Sequence, residues 1–196
     1  IRTLRWAVDS GFNKMYWVME EKGFRQAGSA RPLPGAPEPE GSQVLPGTYK
    51  LVMTYARTSD STFVTVKDDP RLGNRNDIKL AQRNMYARLR KSTDKLNAGT
   101  DQLTESEEVL TKMLAQLKGM EGREIDSLRR STTKMQDEIK SIREQISGKT
   151  SDKQGISRTP FEVTVMTAIQ TAQRSIGSKM VAPGPQVETL IENAEK

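Results

Sequence analysis

Histidine and cysteine are both missing from this 196-residue chain. Their absence excludes disulfides, thiolate metal sites and any His-dependent triad or proton relay. Aromatic residues are scarce at 5%, hydrophobic residues reach only 34%, and 29% of the chain is charged. A composition this polar suits slender helices with large exposed faces. No apolar run is long enough to span a bilayer, no signal peptide is visible, and there is no phosphate-binding glycine loop. The formal net charge is +6, and most of the excess falls on residues 71–148. Basic and acidic residues are interspersed there, which marks a solvated face rather than a nucleic-acid surface.

The stretch from Ile78 to Ile146 carries the strongest pattern. Leucines recur every seven residues at Leu89, Leu96, Leu103, Leu110 and Leu117. A second row three residues on is filled by Ser92, Gly99, Ser106, Met113 and Met120. The next segment places Ile125, Leu128, Thr132, Met135, Ile139, Ile142 and Ile146 on one stripe. Spacings of three and four predict two amphipathic helices, about 76–118 and 123–147, folded back on each other as an antiparallel hairpin. Gly119–Gly122 supplies the turn, Asn76 or Asp77 the first cap, and Gly148 the stop. The unbroken leucine row carries the first helix through Gly99 despite the cost of a helical glycine. Met135 is expected at a packed position. After a polar linker over 149–159, Phe161, Val165, Ala168, Ile169, Ala172 and Ile176 predict a third helix, about 161–180. Pro183-Gly184-Pro185 breaks the chain, and Val187, Leu190, Ile191 and Ala194 open a fourth, about 186–196.

The first 70 residues follow a period of two instead. Leu4, Trp6 and Val8 predict one strand, and Met15, Trp17 and Met19 a second after a turn at Ser10-Gly11. Both tryptophans are expected in the core; exposed, they would serve as platforms for carbohydrate. Residues 23–43 are dense in Pro and Gly and read as a long surface loop, an insertion between strands. Tyr49, Leu51, Met53 and Tyr55 share one face of a third strand. Tyr49 follows Pro46-Gly47-Thr48, as in the tyrosine corner of Greek-key sandwiches, so its ring is expected to be buried with the hydroxyl bonded to nearby backbone. Thr58–Ser61 reads as a polar turn and Phe63–Lys67 as the returning strand. Four strands are too few for a sandwich, so a further strand is expected before Ile1 and the chain is read as a piece of a longer protein. The fold class is α+β, a partial Ig/fibronectin-like β-sandwich over 1–70 followed by a helical bundle over 71–196.

Carboxylate pairs occur at Glu20-Glu21, Asp68-Asp69 and Glu107-Glu108. Glycoside hydrolysis needs two carboxylates facing one another across a cleft. Neighbours on a strand point to opposite faces, and neighbours on a helix diverge by about 100 degrees. Asp68-Asp69-Pro70 reads as strand-end turn chemistry, with too few oxygen ligands for calcium. Arg83, Arg88, Arg90, Lys91 and Lys95 form the densest basic group, with Tyr86 the one interleaved aromatic, too little for a nucleic-acid site. No catalytic, cofactor-binding or metal-ligating residue is assigned, and the chain by itself is expected to catalyse nothing.

Three local patterns carry a resemblance. Gly11-Phe12-Asn13-Lys14-Met15-Tyr16-Trp17 resembles the Gly-hydrophobic-Asn-x-x-x-Trp strand of a FlgD-like or fibronectin-like module. Leu45-Pro46-Gly47-Thr48-Tyr49 resembles its Pro-Gly-Thr-Tyr corner. Val66-Lys67-Asp68-Asp69-Pro70-Arg71 resembles the exit that precedes a helical tail. In this order they are similar to the C-terminal region of bacterial sortilin-like or BNR-repeat sialidase-like β-propeller proteins. The resemblance implies a periplasmic, outer-membrane-associated or secreted protein of the Bacteroidetes type. Its partner would be the propeller of the same protein or another envelope protein. Hydrolytic residues, if the parent has them, would lie in that propeller, so none is carried over. The implied function is an accessory and assembly module. The alternatives are the C-terminal part of a glycoside hydrolase that supports its substrate site, and a coiled-coil scaffold.

Overall fold

The computed structural model describes residues 1–73, 75–148, 164–177 and 181–195. Among these residues the architecture is α+β, with four α-helices and two antiparallel two-stranded sheets. The helices are α1 (Asn76–Gln116), α2 (Arg123–Ser147), α3 (Val165–Gly177) and α4 (Pro185–Glu195). The expected stretches 161–163 and 178–180, and Lys196, lie outside the described residues. Pro185 opens α4 at the position where a missing N–H costs nothing.

Helix α1 runs unbroken through Gly99, as its leucine row requires. Gly119 and Gly122 both take positive φ, 84° and 139°, in the turn to α2. The hairpin is antiparallel. Going up α2, Arg129 reaches the Leu117 carbonyl, Thr132 the Met113 sulfur, Gln136 the Thr111 hydroxyl and Arg143 the Glu107 carboxylate. The cap differs from expectation. Arg75 holds the cap position, and Asn76 and Asp77 are already inside the first turn, where Asp77 still favours the positive end of the helix dipole.

The main core is not in that hairpin. Leu89 of α1 packs with Ile169, Ala172 and Ile176 of α3 and with Val187 and Ile191 of α4. Met85, Tyr86 and Leu96 lean on the same cluster. Each fully buried Leu or Ile stabilises the fold by about 1.5–3 kcal/mol. Farther out, two helices cannot cover each other's stripes. Met135 is 53% exposed, and Leu128 and Ile142 are exposed as well, whereas Thr132 is buried. The expectation that Met135 is packed is therefore corrected: an isolated helix pair has an open flank. Met135→Asp should cost under about 1 kcal/mol, measured as a small shift of a urea midpoint with an unchanged slope.

Residues 23–43 are more than a surface insertion. Ala27 is buried in the helical core and Phe24 packs edge-on against Tyr86. The segment also ends in strand: β1 (Glu20–Lys22) pairs with β2 (Glu40–Gln43). The two strands approach so closely that a Cβ at Gly23 would overlap the Glu40 carbonyl. The predicted strands at 4–8 and 15–19 do not form. Trp6, Phe12, Tyr16 and Val18 are exposed there. Alternation shows that a segment can sit half-buried on a sheet, but a strand exists only when another strand pairs with it. Trp6 thus does not join the core.

Strands β3 (Gly47–Tyr55) and β4 (Thr58–Val66), nine residues each, form a hairpin in continuous register from Gly47–Val66 to Tyr55–Thr58. The turn is Ala56-Arg57, with Ala56 at φ 51°. Thr58–Ser61, expected as the turn, belongs to β4. Polar side chains there masked a strand whose pairing is supplied entirely by β3. Among the described residues the strands form two separate two-stranded sheets.

Candidate functional site

Because strand side chains alternate, the β3–β4 register decides which residues share a face. Tyr49, Leu51, Met53 and Tyr55 line one face, joined by Val64 across the Tyr49 pair. Lys50, Val52 and Phe63 lie on the other. Leu51 is 41% exposed, Met53 60%, Tyr55 66% and Phe63 69%. Among the described residues both outer edges are also unpaired, since the two strands pair only with each other. Contiguous apolar surface of this kind, beside free backbone donors and acceptors, marks an interaction surface.

The base of the hairpin is fixed. Tyr49 donates its hydroxyl hydrogen to the Leu45 carbonyl, four residues upstream. Trp17 packs edge-on to the Tyr49 ring at 5.6 Å between centroids and donates its indole N–H to the Glu20 carbonyl at 3.0 Å. Asn13 closes the preceding turn through the Asp9 amide and carbonyl. The Tyr49 bond matches the corner expected from the sequence, although the ring is half-buried rather than buried. Tyr49→Phe should cost about 1 kcal/mol, read in denaturant melts.

The carboxylate pairs are dispersed into separate ion pairs. Glu20 meets Arg2 at 3.0 Å, Glu21 meets Arg83 at 2.9 Å, and Asp68 meets Lys79 at 2.7 Å. Asp69 accepts from the Arg71 amide and side chain at the start of a 3-10 turn, Pro70–Leu72. Glu107 meets Arg143 at 3.0 Å, and Glu108 is exposed. No pair faces a partner across a cleft. The basic group on α1 is likewise divided. Arg83, Arg88 and Arg90 are engaged by Glu21, Glu195 and Asp94, while Lys91 and Lys95 hold no ion pair among the described residues. Tyr86 donates to the Gln173 carbonyl at 3.3 Å, and burial pushes its hydroxyl pKa up.

Two features had no sequence signal of their own. The first is a clamp. Arg25 grips Asp101 with two bonds of 2.9 Å, and buried Asn97 bonds the Arg25 carbonyl and the Gly28 amide. It ties the 23–43 segment to α1. The second is a groove of about 810 Å³ where α2 ends beside α1, α3 and α4. Leu96, Leu103, Ile142, Ile146 and Val165 line it, and its depth comes from Ser92, Gly99 and Ser106. The sequence displayed those small residues in the second heptad row without showing that nothing fills the space.

Several carboxylates are held below their ordinary range. The Arg25 guanidinium does this to Asp101, the Thr3 amide and then Lys22 to Glu38, the Arg71 side chain to Asp69, and Arg88 to Glu195. A depressed folded-state pKa gives stability that is present above the unfolded value and lost as pH falls through the folded one. Stability should therefore hold flat around neutrality, where no histidine titrates, and decline below about pH 4. Asp101→Asn should flatten part of that acid slope in melts taken along a pH series.

Comparison with family models, with curated proteins and with solved structures finds no match to this chain.

Proposed function

We propose that this chain is a non-catalytic assembly module that docks onto a protein partner through the β3–β4 hairpin. The single observation behind the reading is the open apolar face of Leu51, Met53 and Tyr55, on a hairpin with two unpaired edges. In this reading the hairpin is part of an Ig/fibronectin-like sandwich completed by strands from outside the described residues or from the partner. The sequence resemblance makes that partner the β-propeller of the same envelope or secreted protein, with α1 and α2 as the stem that carries the hairpin. The scattered, individually paired carboxylates support a binding role over a hydrolytic one.

The test is site-specific photo-cross-linking. A photoreactive residue would replace Met53 or Phe63 in the protein expressed with the segments that flank it in its gene. Cross-links from Met53 to the propeller, abolished by Leu51→Lys, are expected. Met53 and Phe63 both remaining uncross-linked in the assembled protein would overturn the reading.

A further inference from the structure

The groove beside α1 is independent of the hairpin and has its own chemistry. Ser92, Gly99 and Ser106 recur every seven residues, on the face of α1 where a coiled coil would place large side chains. Between them and the ends of α2, α3 and α4 a volume of about 810 Å³ stays open, within the range of small-molecule sites. A Cβ built at Gly99 meets nothing within 4 Å. The walls are aliphatic: Leu96, Leu103, Ile142, Ile146 and Val165.

One end of the groove is polar. Ser92 is only 9% exposed, lines the groove, and its hydroxyl has no hydrogen-bond partner among the described residues. Lys91 and Lys95 line the same end, one helical turn apart, and neither has an ion pair within 4.0 Å among the described residues. Among the described residues that line the groove Glu195 is the one carboxylate; Arg88 pairs with it at 2.6 Å, and Lys95 also acts on its charge. At this end the two lysine charges outnumber the one lining carboxylate beside the Ser92 hydroxyl, and the rest of the groove presents hydrocarbon.

We infer that this groove binds a single-chain aliphatic carboxylate, with its tail along Leu96, Leu103 and Ile142 and its head at Ser92, Lys91 and Lys95. The run from Lys91 to Ser106 is about 22 Å at the rise of an α-helix, long enough for an extended fatty chain. A partner helix would bring its own side chains to fill the row of small residues, but it would leave the two lysines without an anion.

The whole chain would be titrated with a dansyl-labelled undecanoate, followed by fluorescence, with displacement by dodecanoate, dodecanol and butanoate. Saturable one-to-one binding is expected, reversed best by dodecanoate, more weakly by dodecanol and not by butanoate. Gly99→Leu fills the groove and removes a helical glycine, so the variant should melt no lower than the parent yet bind at least about tenfold more weakly. Lys91→Gln with Lys95→Gln should erase the preference for dodecanoate over dodecanol. Met53→Lys, on the hairpin, should leave binding unchanged. Undiminished binding in Gly99→Leu, loss in Met53→Lys, or no saturable binding to the parent chain would overturn the inference.

Discussion

Ile169→Ala should lower the unfolding free energy by about 2–5 kcal/mol, among the largest losses expected from a single truncation at a described residue. Ile169 is fully buried at the junction of α1, α3, α4 and the segment carrying Ala27. Four separate parts of the sequence close around it, so no one of them can move in to fill the cavity. Stability for a domain of this size is itself only about 5–15 kcal/mol, and the variant should sit close to the unfolding threshold. Chemical denaturation followed by far-UV circular dichroism checks this. A loss under about 1 kcal/mol, the size expected of a surface change, would mean that α3 and α4 do not pack on α1 as described. Leu89→Ala, from the opposite wall, should show the same loss, and the two together should fall short of additivity because they share a cavity.

Asn97→Leu should cost about 1–3 kcal/mol for each buried polar group it strands. Asn97 is 5% exposed; its amide donates to the Arg25 carbonyl at 3.1 Å and its oxygen accepts from the Gly28 amide at 3.3 Å. Leucine has the same branched heavy-atom skeleton and suits the helix, so helical propensity does not explain the loss. The remaining Arg25–Asp101 bonds should keep the segment near α1, but without its central anchor. Hydrogen exchange at the Gly28 amide should rise toward the rate of an open loop, with protection in α2 unchanged. Equal protection at Gly28 in parent and variant would show that the clamp is held by Arg25 alone.

These two residues show where sequence reading stops. Ile169 stood out because α3 repeats apolar residues at helical spacing, and that periodicity is local. Asn97 gave no sign, because its partners lie 69 and 72 residues away in a segment of Pro and Gly that has no period. The Arg25–Asp101 pair, 76 residues apart, is equally silent in one dimension. The groove is an intermediate case: Ser92, Gly99 and Ser106 were visible as the weak row of a heptad, while the end of α2 beside them decides that the row stays unfilled. Tyr49 was legible because its hydroxyl partner is four residues away, inside the motif that announces it.

The sequence by itself determined the α-helices, their turn at Gly119–Gly122 and the apolar stripe each helix carries, because i to i−4 hydrogen bonding and amphipathic spacing are properties of neighbours along the chain. It also determined that no histidine or thiol chemistry is available. Only the tertiary structure decided which alternating segments become strands. Trp6 and Tyr16 carry the same period as Leu51 and Met53, yet only the latter pair lies in a strand, because a strand's hydrogen bonds belong to whatever lies beside it. For the same reason it alone decided that Leu89 is enclosed while Met135, on an equally regular stripe, faces solvent. Burial depends on how many elements converge on a residue, and convergence is set by the path of the whole chain.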